Sequence, residues 1–147
     1  ADSYKVSSEI EKLLQKYGNM RIYIDGTGGF SSGVEDYLKL GHNITSVNFG
    51  SKAKDNYNLN CRADMYSNLV KAIDEGFYID DETIKDELFA TSYVITNNGK
   101  KAIVPKEQIK EILGHSPDST DALALTFYEN NIIDRNREQF LMNTLFR

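Results

Sequence analysis

Cysteine and histidine are scarce in this chain: Cys61 stands alone among 147 residues, and His42 and His115 are the only imidazoles. A lone cysteine excludes an intramolecular disulfide, and two histidines with it cannot build a Cys/His zinc site. That thiol-poor composition suits a reducing compartment. No run of about 18 apolar residues occurs, and the N-terminus has no apolar core of a signal peptide, so neither a membrane span nor secretion is expected. A soluble, cytoplasmic protein is the reading. A basic surplus is missing too: 17 Lys and Arg face 22 Asp and Glu, for a formal net charge of -5. This argues against capture of nucleic acid by bulk charge but leaves room for a local basic patch. Internal repeats and low-complexity tracts are absent. So are the two phosphate-cradling signatures, Gly-x-Gly-x-x-Gly and Gly-x-x-x-x-Gly-Lys-Ser/Thr, which weakens a nucleotide-binding reading of the glycine-rich turn described next.

With 40% hydrophobic and 27% charged residues, the chain is long enough for one compact core and too short for two, so residues 1–147 are read as one domain. Its organising stretch runs from Arg21 to Gly29. Ile22, Tyr23 and Ile24 form a short β-prone run, and Asp25-Gly26 followed by Gly28 and Gly29 punctuates it. The strand delivers Asp25 to its carboxyl end, the edge at which open α/β sheets bind ligands. A turn-forming, helix-capping role for Asp25 is the plainer alternative.

Around that strand the pattern alternates. Ser7 and Ser8 precede Glu9, Ile10, Leu13, Leu14 and Tyr17 at helical spacing, and Gly18 stops the run. Ser31 and Ser32 lead into Val34, Tyr37, Leu38 and Leu40, closed by Gly41, and Ile44 to Phe49 is the next β-rich run. Helix, strand, helix, strand predicts a right-handed crossover with two parallel neighbouring strands, their carboxyl ends on one edge. The polar stretch from Gly50 to Asn60 reads as an exposed loop. Arg62 to Glu75 reads as a helix with Met65, Leu69, Val70 and Ile73 inward. Asp80 or Asp81 caps a helix through Ile84, Leu88 and Phe89. Asn97-Asn98-Gly99 between Tyr93–Thr96 and Lys101–Val104 signals a hairpin. Lys106 to Leu113 is a short helix ended by Gly114, and a last one opens at Ser116-Pro117, proline at the first helical position, running to about Asn130. Phe140, Leu141 and Leu145 give the tail some helical periodicity.

That last helix carries the second chemical signal. Asp118 and Asp121, three apart, are expected on one face, and Ala122, Leu125 and Tyr128 continue it toward the sheet. Acids in a first helical turn also simply complement the helix dipole. Acids held together away from water repel, and a divalent cation resolves the conflict. Oxygen ligands favour Mg²⁺ or Mn²⁺, and a strand-end carboxylate combined with helical ones suits two-metal phosphodiester hydrolysis. Lys52, Lys54, Lys106 and Lys110 are candidate phosphate contacts, the last two lying just ahead of the acidic motif. His115, beside that motif, reads as a helix-flanking polar residue, Tyr66 as core and Cys61 as a small structural residue.

Three motifs in order, Ile-Tyr-Ile-Asp-Gly-Thr-Gly-Gly-Phe-Ser-Ser-Gly-Val-Glu-Asp-Tyr-Leu, then Val-Asn-Phe-Gly, then Lys-Glu-Gln-Ile-Lys-Glu-Ile-Leu-Gly-His-Ser-Pro-Asp-Ser-Thr-Asp-Ala-Leu-Ala-Leu-Thr-Phe, resemble the C-terminal nuclease domain of bacteriophage terminase large subunits from Val6 to Phe127. The resemblance implies a ribonuclease H-like α/β fold, a central sheet with parallel strands flanked by helices, and a hairpin near residues 93–104. It implies a metal-dependent endonuclease cutting concatemeric double-stranded DNA during packaging in the host cytoplasm, with the portal and small terminase subunit as further partners. Asp25 corresponds to the family's second metal-binding acid and Asp118 to its last, while Asp121 matches a further acid of the related resolvases. The family's first acid lies on a strand that precedes the first helix here, so a fragment without its first three strands is expected. A catalytically incomplete fragment that only binds DNA or a packaging partner is the alternative reading.

Overall fold

A computed structural model describes residues 2–29, 31–39 and 41–129. Expectations for Leu40, Asn130 and the tail with Phe140, Leu141 and Leu145 lie outside these. Helix α1 (Ser3–Tyr17) starts earlier than the Ser7-Ser8 pair suggests, because Asp2 takes the capping role: its Oδ1 accepts the Tyr4 amide at 3.0 Å. Ser7 is instead buried within the helix, its hydroxyl donating to the Ser3 carbonyl at 2.7 Å. Strand β1 (Ile22–Asp25) follows, then a 3-10 turn (Thr27–Gly29), helix α2 (Ser32–Leu38) and strand β2 (Ile44–Val47). β1 and β2 pair in parallel, Ile22 opposite Ile44 and Asp25 opposite Val47. This is the pairing that the intervening helix requires, since parallel neighbours need a crossover.

Helix α3 (Cys61–Asp74) is capped by Asn60, whose Oδ1 accepts the Ala63 amide, and α4 (Glu82–Ala90) by Asp81, which accepts the Ile84 amide. Strands β3 (Tyr93–Ile95) and β4 (Lys101–Ile103) form the antiparallel hairpin around Asn97-Asn98-Gly99. Helix α5 (Lys106–Leu113) ends at Gly114, and α6 (Asp118–Leu125) follows.

The core joins the end of β2 to α3 and α6: Val47, Phe49, Met65, Tyr66, Leu69, Ala124 and Leu125 are buried together, with Tyr23, Leu88 and Ile103 against them. Met65 and Leu69 face inward as their spacing predicts. Val70 and Ile73 do not; both are exposed. Pro117 occupies the capping position of α6 rather than its first turn and supplies no side-chain cap. The ribonuclease H-like expectation is met in part: among the described residues the parallel sheet has two strands, and the hairpin is a separate sheet. No helix among them is long and apolar enough to cross a membrane.

Candidate metal centre

Asp25 closes β1, where the backbone turns sharply past β2. A Cβ on the following Gly26 would stand 2.0 Å from Ser46 Oγ, so any side chain there would force the Ser46 hydroxyl to rotate away. The turn-forming role foreseen for Asp25 is present. Its Oδ1 accepts the Thr27 amide at 3.0 Å, forming the turn, while Oδ2 faces Lys106 Nζ at 4.0 Å. Thr27 in turn accepts the Phe49 amide through Oγ1 at 3.1 Å, tying the turn to the end of β2.

Asp121 reaches the same place from α6. Its buried side chain presents Oδ2 to Lys106 Nζ at 2.9 Å, so one ammonium bridges the two acids. Lys106 opens α5 and also lies 5.3 Å from the centre of the Phe49 ring. The other oxygen, Asp121 Oδ1, accepts Tyr66 Oη at 2.6 Å and faces Arg62 Nη2 at 3.4 Å. Arg62 also donates Nη1 to the Val104 carbonyl at 2.9 Å. Burial, and next to it the charge of Asp121, pushes the Tyr66 hydroxyl far above the ordinary tyrosine range, so it remains a donor.

Asp118 opens α6. It is exposed, on an open cleft of about 540 Å³ shared with Glu87, Lys110 and His115. Three residues of α-helix fall about 60° short of a full turn. With Thr120, Asp121, Ala124 and Leu125 buried, that offset carries Asp118 off the inward face. The spacing expectation joins Asp25, Asp118 and Asp121 in one site; in the structure Lys106 faces both Asp25 and Asp121, while Asp118 lines the cleft with Glu87, Lys110 and His115. Among the described residues no three His, Cys, Asp or Glu side chains are grouped to hold a metal ion. Nor is mutual repulsion left for a metal alone to relieve, because Lys106 and Arg62 already face the acids.

The pair nevertheless fits a hard divalent cation. Asp121 Oδ2 is buried, and among the described residues no donor is aligned on it for a hydrogen bond; Lys106 approaches it as a charge, within ion-pair distance but off the hydrogen-bond direction. Two carboxylate oxygens with no thiolate or imidazole beside them among the described residues suit Mg²⁺ or Mn²⁺ rather than zinc.

Of the other candidate phosphate contacts, Lys110 lines the Asp118 cleft. Lys52 is exposed on the loop before α3, while Lys54 sits 4.9 Å from the Tyr128 ring centre, its backbone amide bonded to Asp64 Oδ2 at 2.6 Å. From sequence Tyr66 reads as core only, and neither Arg62 nor Glu87 is singled out. The available signal was a charged residue on the buried face of α3, one turn before Tyr66.

No family model matches this chain, and no curated protein does. Among solved structures, the chain is similar to the nuclease domain of the large terminase subunit gp2 of bacterial virus Sf6, a lysine-to-alanine mutant determined with manganese. The two are 24% identical, with a TM-score of 0.59 over 80% of this chain and 70% of that one. At that identity the likeness is one of fold.

Proposed function

We propose that this chain is the nuclease domain of a DNA-packaging terminase, a metal-dependent endonuclease acting on double-stranded DNA, with Asp25 and Asp121 holding Mg²⁺ or Mn²⁺. The observation that carries the reading is that both acids, from β1 and α6, turn an Oδ2 toward one cation at the carboxyl edge of the parallel strands. The manganese named for the fold relative supports it. When bound, a divalent ion polarises the phosphodiester and lowers the pKa of coordinated water. The chain's own contribution is placement. The Thr27 amide fixes Asp25, and Tyr66 with Arg62 fixes Asp121. Lys106, balancing the acids in their metal-free state, is then free to meet a phosphate, with Lys52, Lys54 and Lys110 as further contacts. Portal and small terminase subunit are the further partners of this reading.

Plasmid nicking in Mn²⁺ tests it. Wild type should nick, Asp25→Asn and Asp121→Asn should not, and Asp118→Asn should nick nearly as wild type does. Equal loss on Asp118→Asn would restore the three-acid site. A second reading rests on the absence of a third acid from the described cluster: a fragment that binds DNA or a packaging partner without cutting. Mn²⁺-dependent retention of DNA with no nicking by wild type would select it.

A further inference from the structure

The two oxygens of Asp121 are unequally served. Oδ1 takes the Tyr66 hydroxyl at 2.6 Å and faces the Arg62 guanidinium at 3.4 Å, whereas Oδ2 is buried with Lys106 as its charged neighbour. The side chains on Oδ1 are themselves fixed. Tyr66 and Arg62 are 3% and 9% exposed, Arg62 is anchored on the Val104 carbonyl, and its guanidinium lies 5.5 Å from the Tyr66 ring centre. A carboxylate held this way cannot swing to offer both oxygens to one ion without abandoning a buried hydroxyl. Calcium readily takes bidentate carboxylates in flexible shells of six to eight oxygens, whereas magnesium demands near-octahedral geometry and usually keeps several waters beside one or two carboxylates.

We propose that Tyr66, supported by Arg62, is a positioning residue that holds Asp121 as a one-oxygen ligand and thereby makes the site select Mg²⁺ and Mn²⁺ over Ca²⁺. This rests on the reading of Asp121 as a metal ligand.

The test measures affinities on the full chain, following free Mn²⁺ by electron paramagnetic resonance and adding Ca²⁺ as competitor. In Tyr66→Phe, which removes only the hydroxyl, the ratio of Ca²⁺ to Mn²⁺ affinity should rise about tenfold, the scale on which partners behind a metal ligand act. A purely structural role would lower the melting temperature or weaken both ions alike, and an unchanged ratio overturns the proposal. Should Tyr66→Phe fail to fold, Arg62→Lys, which keeps the charge but gives up the two-pronged reach to Val104 and Asp121, must shift the ratio the same way; no shift there also overturns it. Asp121→Asn separates the two readings. If it binds Mn²⁺ as wild type does, the metal centre itself is refuted; if it abolishes binding while the ratio stays fixed in Tyr66→Phe, only the selectivity proposal falls.

Discussion

Lys106 Nζ stands 2.9 Å from Asp121 Oδ2 yet off the hydrogen-bond direction, so the contact is one of charge rather than of a directed bond. The lysine side chain is 39% exposed and the aspartate 6%. A half-exposed ammonium therefore balances a buried carboxylate, and under the proposed metal-binding reading it would withdraw into water as a divalent cation takes its place.

Lys106→Met removes that balance. Metal-free protein should lose about 1–2 kcal/mol, because a buried acceptor forfeits a charged neighbour. The melting temperature should fall by several degrees. The gain on adding Mn²⁺ should exceed that of wild type, since no ammonium has to be displaced. Scanning calorimetry with and without Mn²⁺ decides it, and an identical metal-induced shift in both proteins would contradict the exchange.

Glu87 is the hidden support of α6. It is 2% exposed, its Oε2 accepts the Thr120 amide at 2.6 Å, and His115 Nδ1 lies 3.8 Å from Oε1. With Pro117 offering no cap, this carboxylate from α4 satisfies an otherwise orphaned amide at the helix start. Glu87→Ala should cost about 2–3 kcal/mol in urea unfolding through the lost bond and the space left behind. Because α6 carries Asp121, the Mn²⁺-induced stabilisation should shrink as well. A loss confined to a few tenths of a kcal/mol, as at an exposed site, would show that the cap is dispensable.

Gly114 closes α5 at φ 83°, its amide donating to the Lys110 carbonyl at 2.7 Å. A Cβ there would meet no atom within 4 Å, so Gly114→Ala isolates the backbone penalty of the left-handed region. The expected loss is about 1 kcal/mol, read from the denaturation midpoint at unchanged m-value. A neutral result would mean that the loop relaxes around the new residue.

Glu35 supplies an acid-sensitive contribution. The Ser31 hydroxyl first, then Ser46, hold its carboxyl below the ordinary value of 4.5, with Lys39 adding at 3.5 Å. The unfolded chain therefore takes up this proton first as pH falls. The stability from Glu35 is fully present above about 4.5 and drains away as pH drops through the lower folded value. Glu35→Gln should lower stability near neutral pH by under about 1 kcal/mol and flatten the acid limb of the stability profile. Parallel acid limbs in the two proteins would exclude the contribution.

Local chemistry determined a good deal of this protein from sequence alone. The Asp25-Gly26 break placed the acid at a strand end, the crossover made β1 and β2 parallel, Asn97-Asn98-Gly99 set the hairpin, and Gly114 set the end of α5, because each depends on residues a few positions apart. Tertiary packing decided which acid shares Lys106 with Asp25. Periodicity fixes a helical face only to within part of a turn, and the burial of Thr120, Ala124 and Leu125 rotated Asp121 inward and left Asp118 in water. It also decided the partners: Tyr66 and Arg62 meet Asp121 across 55 and 59 residues, and Glu87 meets Thr120 across 33. No spacing rule reaches so far, since such contacts exist only once α3, α4 and α6 share a core, where a buried polar group must find whatever partner the packing brings.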